Sequence, residues 1–125
     1  SAVFCSTLPA LEMGPNVGST SDGTAAFDAS CIAPGGPESA YAFTPAVDGT
    51  LYLTLDATTN LGIYVDLGCG DVATELACAD AAPAGALEAL SIAVPAGAPI
   101  TIFVDGKSEG TAGDFTLLAN FVPAN

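Results

Sequence analysis

The feature that most constrains this chain is a hydrophobic period of two. In "TLYLTLD" (50–56) Leu51, Leu53 and Leu55 fall on one face, with Tyr52 and Thr54 on the other. "LGIYVDL" aligns Leu61, Ile63 and Val65, and "LSIAV" aligns Leu90, Ile92 and Val94. "ITIFVD" aligns Ile100, Ile102 and Val104, while "DFTLLANFV" aligns Phe115, Leu117, Ala119 and Phe121. "SAYAFTP" sets Tyr41 beside Phe43. Alternation over five to nine residues describes strands with one buried face. A helix would need an apolar stripe at a period of 3.6.

The punctuation between these runs suits short strands. "VDGT" (47–50) carries the Asp-Gly pair favoured in tight hairpins. "PAGAP" (95–99) and "DGKSEGTAGD" (105–114) separate later runs. The segments 43–56 and 92–105 echo one another, and both read as hairpins. Short strands at near-regular spacing predict an all-β, antiparallel β-sandwich of about seven to nine strands. Residues 1–125 form one domain, with 39–122 as the main alternating strands. Residues 1–38 are less regular: "LEMGPNVGST" is a candidate strand whose Pro15 suits an edge, and 20–37 reads as loop. "TELACADAAPAGALEAL" has helical composition, which Pro83 and Gly85 limit to a turn or two.

Charge removes whole classes of function. Fourteen acids face a single lysine, Lys107, with no arginine or histidine, for a formal net charge of −13. Nucleic acid requires cations to displace its counterions, and anionic lipid repels such a chain. Lack of histidine rules out Ser-His-Asp and Cys-His nucleophiles and His-ligated zinc. Lack of arginine rules out a bidentate phosphate clamp. Lys107 sits in the polar turn "DGKSEG" and reads as solvated. Paired carboxylates can hydrolyse glycosides, but these acids fall mostly in turns. The apolar stretch 89–104 is broken by Pro95, Gly97 and Pro99 and is too short to span a bilayer. Charged residues make up 12% of the chain, about half the usual share. The mean hydropathy is +0.54. Such a surface suits the cell exterior or an assembly. No catalytic set and no cofactor site emerges.

The four cysteines, Cys5, Cys31, Cys69 and Cys78, lack the C-x₂₋₄-C spacing of thiolate zinc sites and the C-x-x-C of redox pairs. An even count in a short chain reads as disulfides, with three connectivities possible. Cys69 and Cys78 enclose eight residues. If "IYVDL" returns through "ELACA" as a hairpin, these two face each other across its mouth. Cys5 then closes to Cys31. Loop entropy gives about 2.5–3 kcal/mol for the smaller loop and about 3.5 kcal/mol for the larger. Two disulfides imply an oxidising compartment.

The order of features resembles the bacterial pre-peptidase C-terminal domain family in its cysteine-containing secreted form, over roughly residues 10–122. The resemblance rests on a loop ending in "DASC", then "ESAYAFTPAVDGTLYLTL", the strand into "TELAC", then "VPAGAPITIFVDG" and "GDFTLLANF". It implies a jelly-roll-like sandwich without catalytic residues, accompanying secreted proteases. Relatives bind collagen or polysaccharide, and some bind calcium. Here tryptophan is absent and the acids after Cys78 thin to Asp80. Oxygen-rich calcium candidates are Asp22, Asp28 and Glu38, or Asp105, Glu109 and Asp114.

Two functions follow as expectations. One is a non-catalytic, secreted or cell-surface structural or interaction protein, able to assemble with itself through strand edges into a filament or layer. The alternative is an accessory module, of collagen- or polysaccharide-binding type, from a larger secreted hydrolase. The partner is thus either a second copy or an extracellular polymer or protein, without nucleic acid or membrane insertion. Full reduction should raise the mass by about 4 Da, as two S–S bonds require. An unchanged mass would remove both disulfides and the compartment inferred from them.

Overall fold

A computed structural model describes residues 8–20, 38–57, 59, 61–68, 75–79, 87–106 and 113–124. Among these lie eight strands: β1 (Gly14–Ser19), β2 (Glu38–Phe43), β3 (Gly49–Ala57), β4 (Leu61–Asp66), β5 (Glu75–Ala79), β6 (Glu88–Val94), β7 (Ile100–Gly106) and β8 (Asp114–Pro123). The first sheet has the order β1-β8-β3-β6 and the second β2-β7-β4-β5. Every ladder between them is antiparallel. β1 pairs with β8, β2 with β7, β3 with β6 and β4 with β5. That is one long hairpin rolled over on itself, the pairing of a jelly roll.

The alternating runs supply the core. Leu51, Leu53, Leu55, Phe115 and Leu117 of the first sheet meet Ile63, Val65, Ile100, Ile102 and Val104 of the second. β3 alternates buried and open residues along its length, as its leucines require. Phe43 and Phe121 meet edge to face at 5.5 Å. Tyr41 is also in this core, and burial pushes its phenol pKa upward. The phenol therefore keeps its proton to a higher pH than a solvated tyrosine does.

Several expectations change. "VDGT" and "PAGAP" do not close hairpins. β2 and β3 lie in different sheets, as do β6 and β7, so both connections are arches across the sandwich. The echo between the two segments is real in space, because the arches interlock. Gly97 N–H donates to Pro45 O at 2.8 Å, and Ala96 N–H donates to the Asp48 carboxylate at 2.7 Å. Gly97 has φ 79° in a turn closed from Ala98 N–H to Pro95 O, which suits the third residue of a type II turn. A Cβ at Gly49 would lie 2.5 Å from Val122 O, so the first residue of β3, where the other connection ends, is also held to glycine. Within the segment of helical composition, residues 75–79 and 88–90 are in strands, the latter continuing into the expected strand at 90–94, since cross-strand pairing overrides intrinsic propensity.

Other expectations hold. β4 and β5 are the two sequence-adjacent strands that do pair. β1, with Pro15, is an edge strand. Asn16 ties that edge down. Its amide donates to Glu12 O at 2.9 Å and Leu117 O at 3.1 Å, while its oxygen accepts from Glu12 N–H at 3.0 Å. Just upstream, Leu11 N–H donates to Ala42 O, and Ala42 N–H to Pro9 O. One segment thus spans from the β2 edge to the β8 edge and closes that side.

Asn16→Ala should lower the unfolding free energy by about 1–3 kcal/mol, the cost of orphaning buried backbone groups. Val47→Ala, at an exposed position of the arch, should change it by less than about 0.5 kcal/mol. Urea denaturation of both variants measures the difference.

Candidate functional site

The two outer faces of the sandwich differ sharply. On the second sheet, Ala40, Phe103, Tyr64 and Cys78 form one row across β2, β7, β4 and β5. Tyr64 and Phe103 stack at 4.4 Å with an interplanar angle of 9°, a favoured aromatic arrangement. Both are fully buried, in a cluster separate from the main core that includes Leu8. Thr101, Asp66 and Asp105 on the same strands are buried too. β4 and β7 therefore bury both faces. The alternating pattern predicts one buried face, but "LGIYVD" and "ITIFVDG" place Tyr64 and Phe103 in slots where polar residues were due. Near-continuous apolar runs are the mark of a strand covered on both sides.

The predicted site residues are distributed over this framework. Cys78 is on β5 in register with Tyr64. Cys5, Cys31 and Cys69 lie outside the described residues, as do Asp22, Asp28, Asp71, Asp80, Lys107 and Glu109. Each of the two calcium sets has members outside the described residues. Glu38, from the first, is in register with Asp105, from the second. Asp114 belongs to the other sheet, exposed and opposite Ser19. Among the described residues no group of three acids, cysteines or histidines is placed to hold a metal ion.

The outer face of the first sheet is open. Its registers give three consecutive rows without a charge. Val122, Thr50 and Ala93 form one row, and Asn120, Tyr52 and Ser91 the next. Pro15, Leu118, Thr54 and Ala89 form the third. Acids begin in the following rows, with Asp56 opposite Thr116 and Asp114 opposite Ser19. Val17 is 79% exposed, Leu118 50%, Tyr52 48% and Val122 45%. Four of the nine exposed large hydrophobic side chains among the described residues thus project from this one face, three of them in its charge-free rows and Val17 in the row of Asp56. Shallow grooves open on this face beside Tyr52 and Ser91, beside Thr50 and Pro95, and beside Val17 and Asp114. The face is partly apolar and supplied with hydroxyl and amide groups. Its three charge-free rows hold no carboxylate, amine or thiol.

Reading each strand alone hides this surface. The signal was present as the choice of Ser, Thr, Tyr and Asn for the outward slots at 50–54 of β3, 89–93 of β6 and 118–122 of β8, beside Ala, Leu and Val and without an acid. Register is needed to bring those slots side by side.

No protein-family model and no curated protein matches the chain. Solved structures do. The pre-peptidase C-terminal domain of a collagenase from Bacillus anthracis aligns with TM-score 0.64 and 12% identity, covering 91% of this chain and 95% of that one. PliG from Aeromonas hydrophila, a periplasmic inhibitor of g-type lysozyme, aligns with TM-score 0.56 and 12% identity, covering 92% and 95%. The chain therefore has a pre-peptidase C-terminal-like fold. Among the described residues no helix is long and apolar enough to cross a membrane.

Leu118→Lys, on the open face, should cost less than about 1 kcal/mol of stability. Phe103→Lys, on the covered face, should abolish cooperative folding, because it strands a charge in an apolar layer. Circular dichroism melts of the two variants make the comparison. Equal losses would mean that the two faces are equally buried.

Proposed function

We propose that this chain is a non-catalytic interaction module of an exported bacterial protein, binding an extracellular partner through the outer face of the first sheet. The observation that carries this function is the run of three uncharged rows around Tyr52 and Leu118 in a chain of formal charge −13. Exposed apolar surface rimmed by polar groups marks contact sites. The likeness in fold to a collagenase's accessory domain and to a lysozyme inhibitor supports a role in binding. No cofactor enters this function.

Two structural disulfides, Cys69–Cys78 and Cys5–Cys31, belong to the same proposal. Among the described residues no cysteine is a free thiol, and the β4–β5 pairing supplies the hairpin that the first bridge would clasp. Such bridges place the protein outside the cytosol.

Face contact is better supported than filament growth through strand edges. β1 carries Pro15, and the β2 edge is covered by Pro9–Leu11. β5 has a register shift opposite Val65 and Asp66. These are devices that blunt an edge.

Sedimentation with insoluble collagen, chitin and cellulose tests the function. Retention on a polymer that falls about tenfold in Tyr52→Ala, the loss expected of an aromatic anchor, supports binding through this face. Retention on none of them, or retention indifferent to Tyr52, would contradict it.

A further inference from the structure

We infer that the outer edge of β6 takes up an extended peptide segment of a partner protein as a fifth strand of the first sheet. This goes beyond the contact face, because the edge binds through backbone rather than side chains. A strand at the end of a sheet directs the N–H and C=O groups of alternate residues away from its neighbour. Among the described residues β1 and β6 end the first sheet, and β2 and β5 end the second. Three of these edges carry blunting devices: Pro15 in β1, the segment 9–11 over β2 and the register shift at β5. β6 does not share them. Its ladder to β3 runs from Val94 to Glu88 without a shift. It holds no proline, and its one charged residue, Glu88, is buried at its first position. Among the described residues no backbone hydrogen bond reaches 89–94 from outside that ladder.

The surroundings select the chemistry of the added strand. A row of N–H and C=O groups at strand spacing is matched by another polypeptide backbone, the basis of strand addition. On the core side, Leu90 and Ala77 of β5 are only partly buried at the margin of the core, and β5 lies against β6 there. Apolar side chains at alternate positions of the added strand complete their burial. On the outer side β6 presents Ala89, Ser91 and Ala93, all exposed and all small. Large side chains at the intervening positions fit beside them, and one next to Ser91 enters the groove that Ser91 shares with Tyr52. Strand pairs gain most from aromatic and β-branched side chains, so the β6 edge of a second copy would offer only the same small residues. Charge specifies the ends. Asp48 just precedes β3 and Asp56 lies near its far end, with uncharged outward residues between them. A segment with basic ends and no acids therefore suits a chain of formal charge −13.

The probe is a labelled peptide, Lys-Val-Thr-Val-Tyr-Val-Thr-Val-Lys, titrated against the 125-residue chain by fluorescence anisotropy. Binding should saturate, and salt should weaken it by screening the lysines. Two further versions carry N-methyl groups on alternate amides, one on each side of the strand. Only the set that faces β6 should lower the affinity, by about tenfold or more, because those amides donate across the new ladder. A contact made by side chains alone would respond alike to both sets. Amide hydrogen exchange of the complex should slow within residues 89–94 and stay unchanged in β1. Failure of the peptide to bind at millimolar concentration, equal loss from both methylated sets, or no slowing in β6 overturns strand addition. Self-association of the chain that the peptide competes away overturns the choice of a partner protein. Polymer retention through Tyr52 is measured separately, so the edge and the face can each fail alone.

Discussion

The structure depends on one burial event: the apolar faces of two four-stranded sheets closing on each other. Leu51, Leu53, Leu55 and Leu117 on one side and Ile63, Ile100, Ile102 and Val104 on the other are almost wholly removed from water. Each such side chain contributes about 1.5–3 kcal/mol, offset by the entropy of ordering the chain. Because these side chains repeat at a period of two, a slip of one residue would turn the whole set outward. The register that protects the core therefore also fixes what stands on the two outer faces.

Those faces have opposite fates. The second sheet places an aromatic stack, Tyr64 on Phe103, between buried acids, and is covered. The first sheet keeps its acids to its ends and presents apolar, hydroxyl and amide groups between them. The proposed function follows from this asymmetry. A covered face contributes stability, while an open, uncharged face on an acidic molecule offers the area where another molecule can approach without electrostatic penalty.

The strands and their inward residues were legible because alternation is a local signal and the core enforces it. β3 is the clearest case, where every leucine that the pattern turned inward is buried. The β4–β5 hairpin was legible from a different local signal, two cysteines closely spaced around a short polar stretch. The arches were not. Pro45 to Gly49 and Pro95 to Pro99 report that the chain reverses, but turn chemistry is the same whether the chain rejoins its own sheet or crosses to the other. Long-range pairing, β2 with β7 and β3 with β6, makes that choice. The contact face was hidden for a related reason: Pro15, Tyr52, Leu118 and Ala89 are distant in sequence and meet only through register.

Selective tyrosine modification tests the asymmetry most directly. The three tyrosines sample its parts: Tyr52 is 48% exposed on the open face, Tyr41 is 8% exposed in the core, and Tyr64 is fully buried on the covered face. Nitration of dilute native protein, followed by peptide mapping, should modify Tyr52 first and leave Tyr64 intact until the protein unfolds. Tyr64 reacting as readily as Tyr52 would contradict the division into a covered face and an open one.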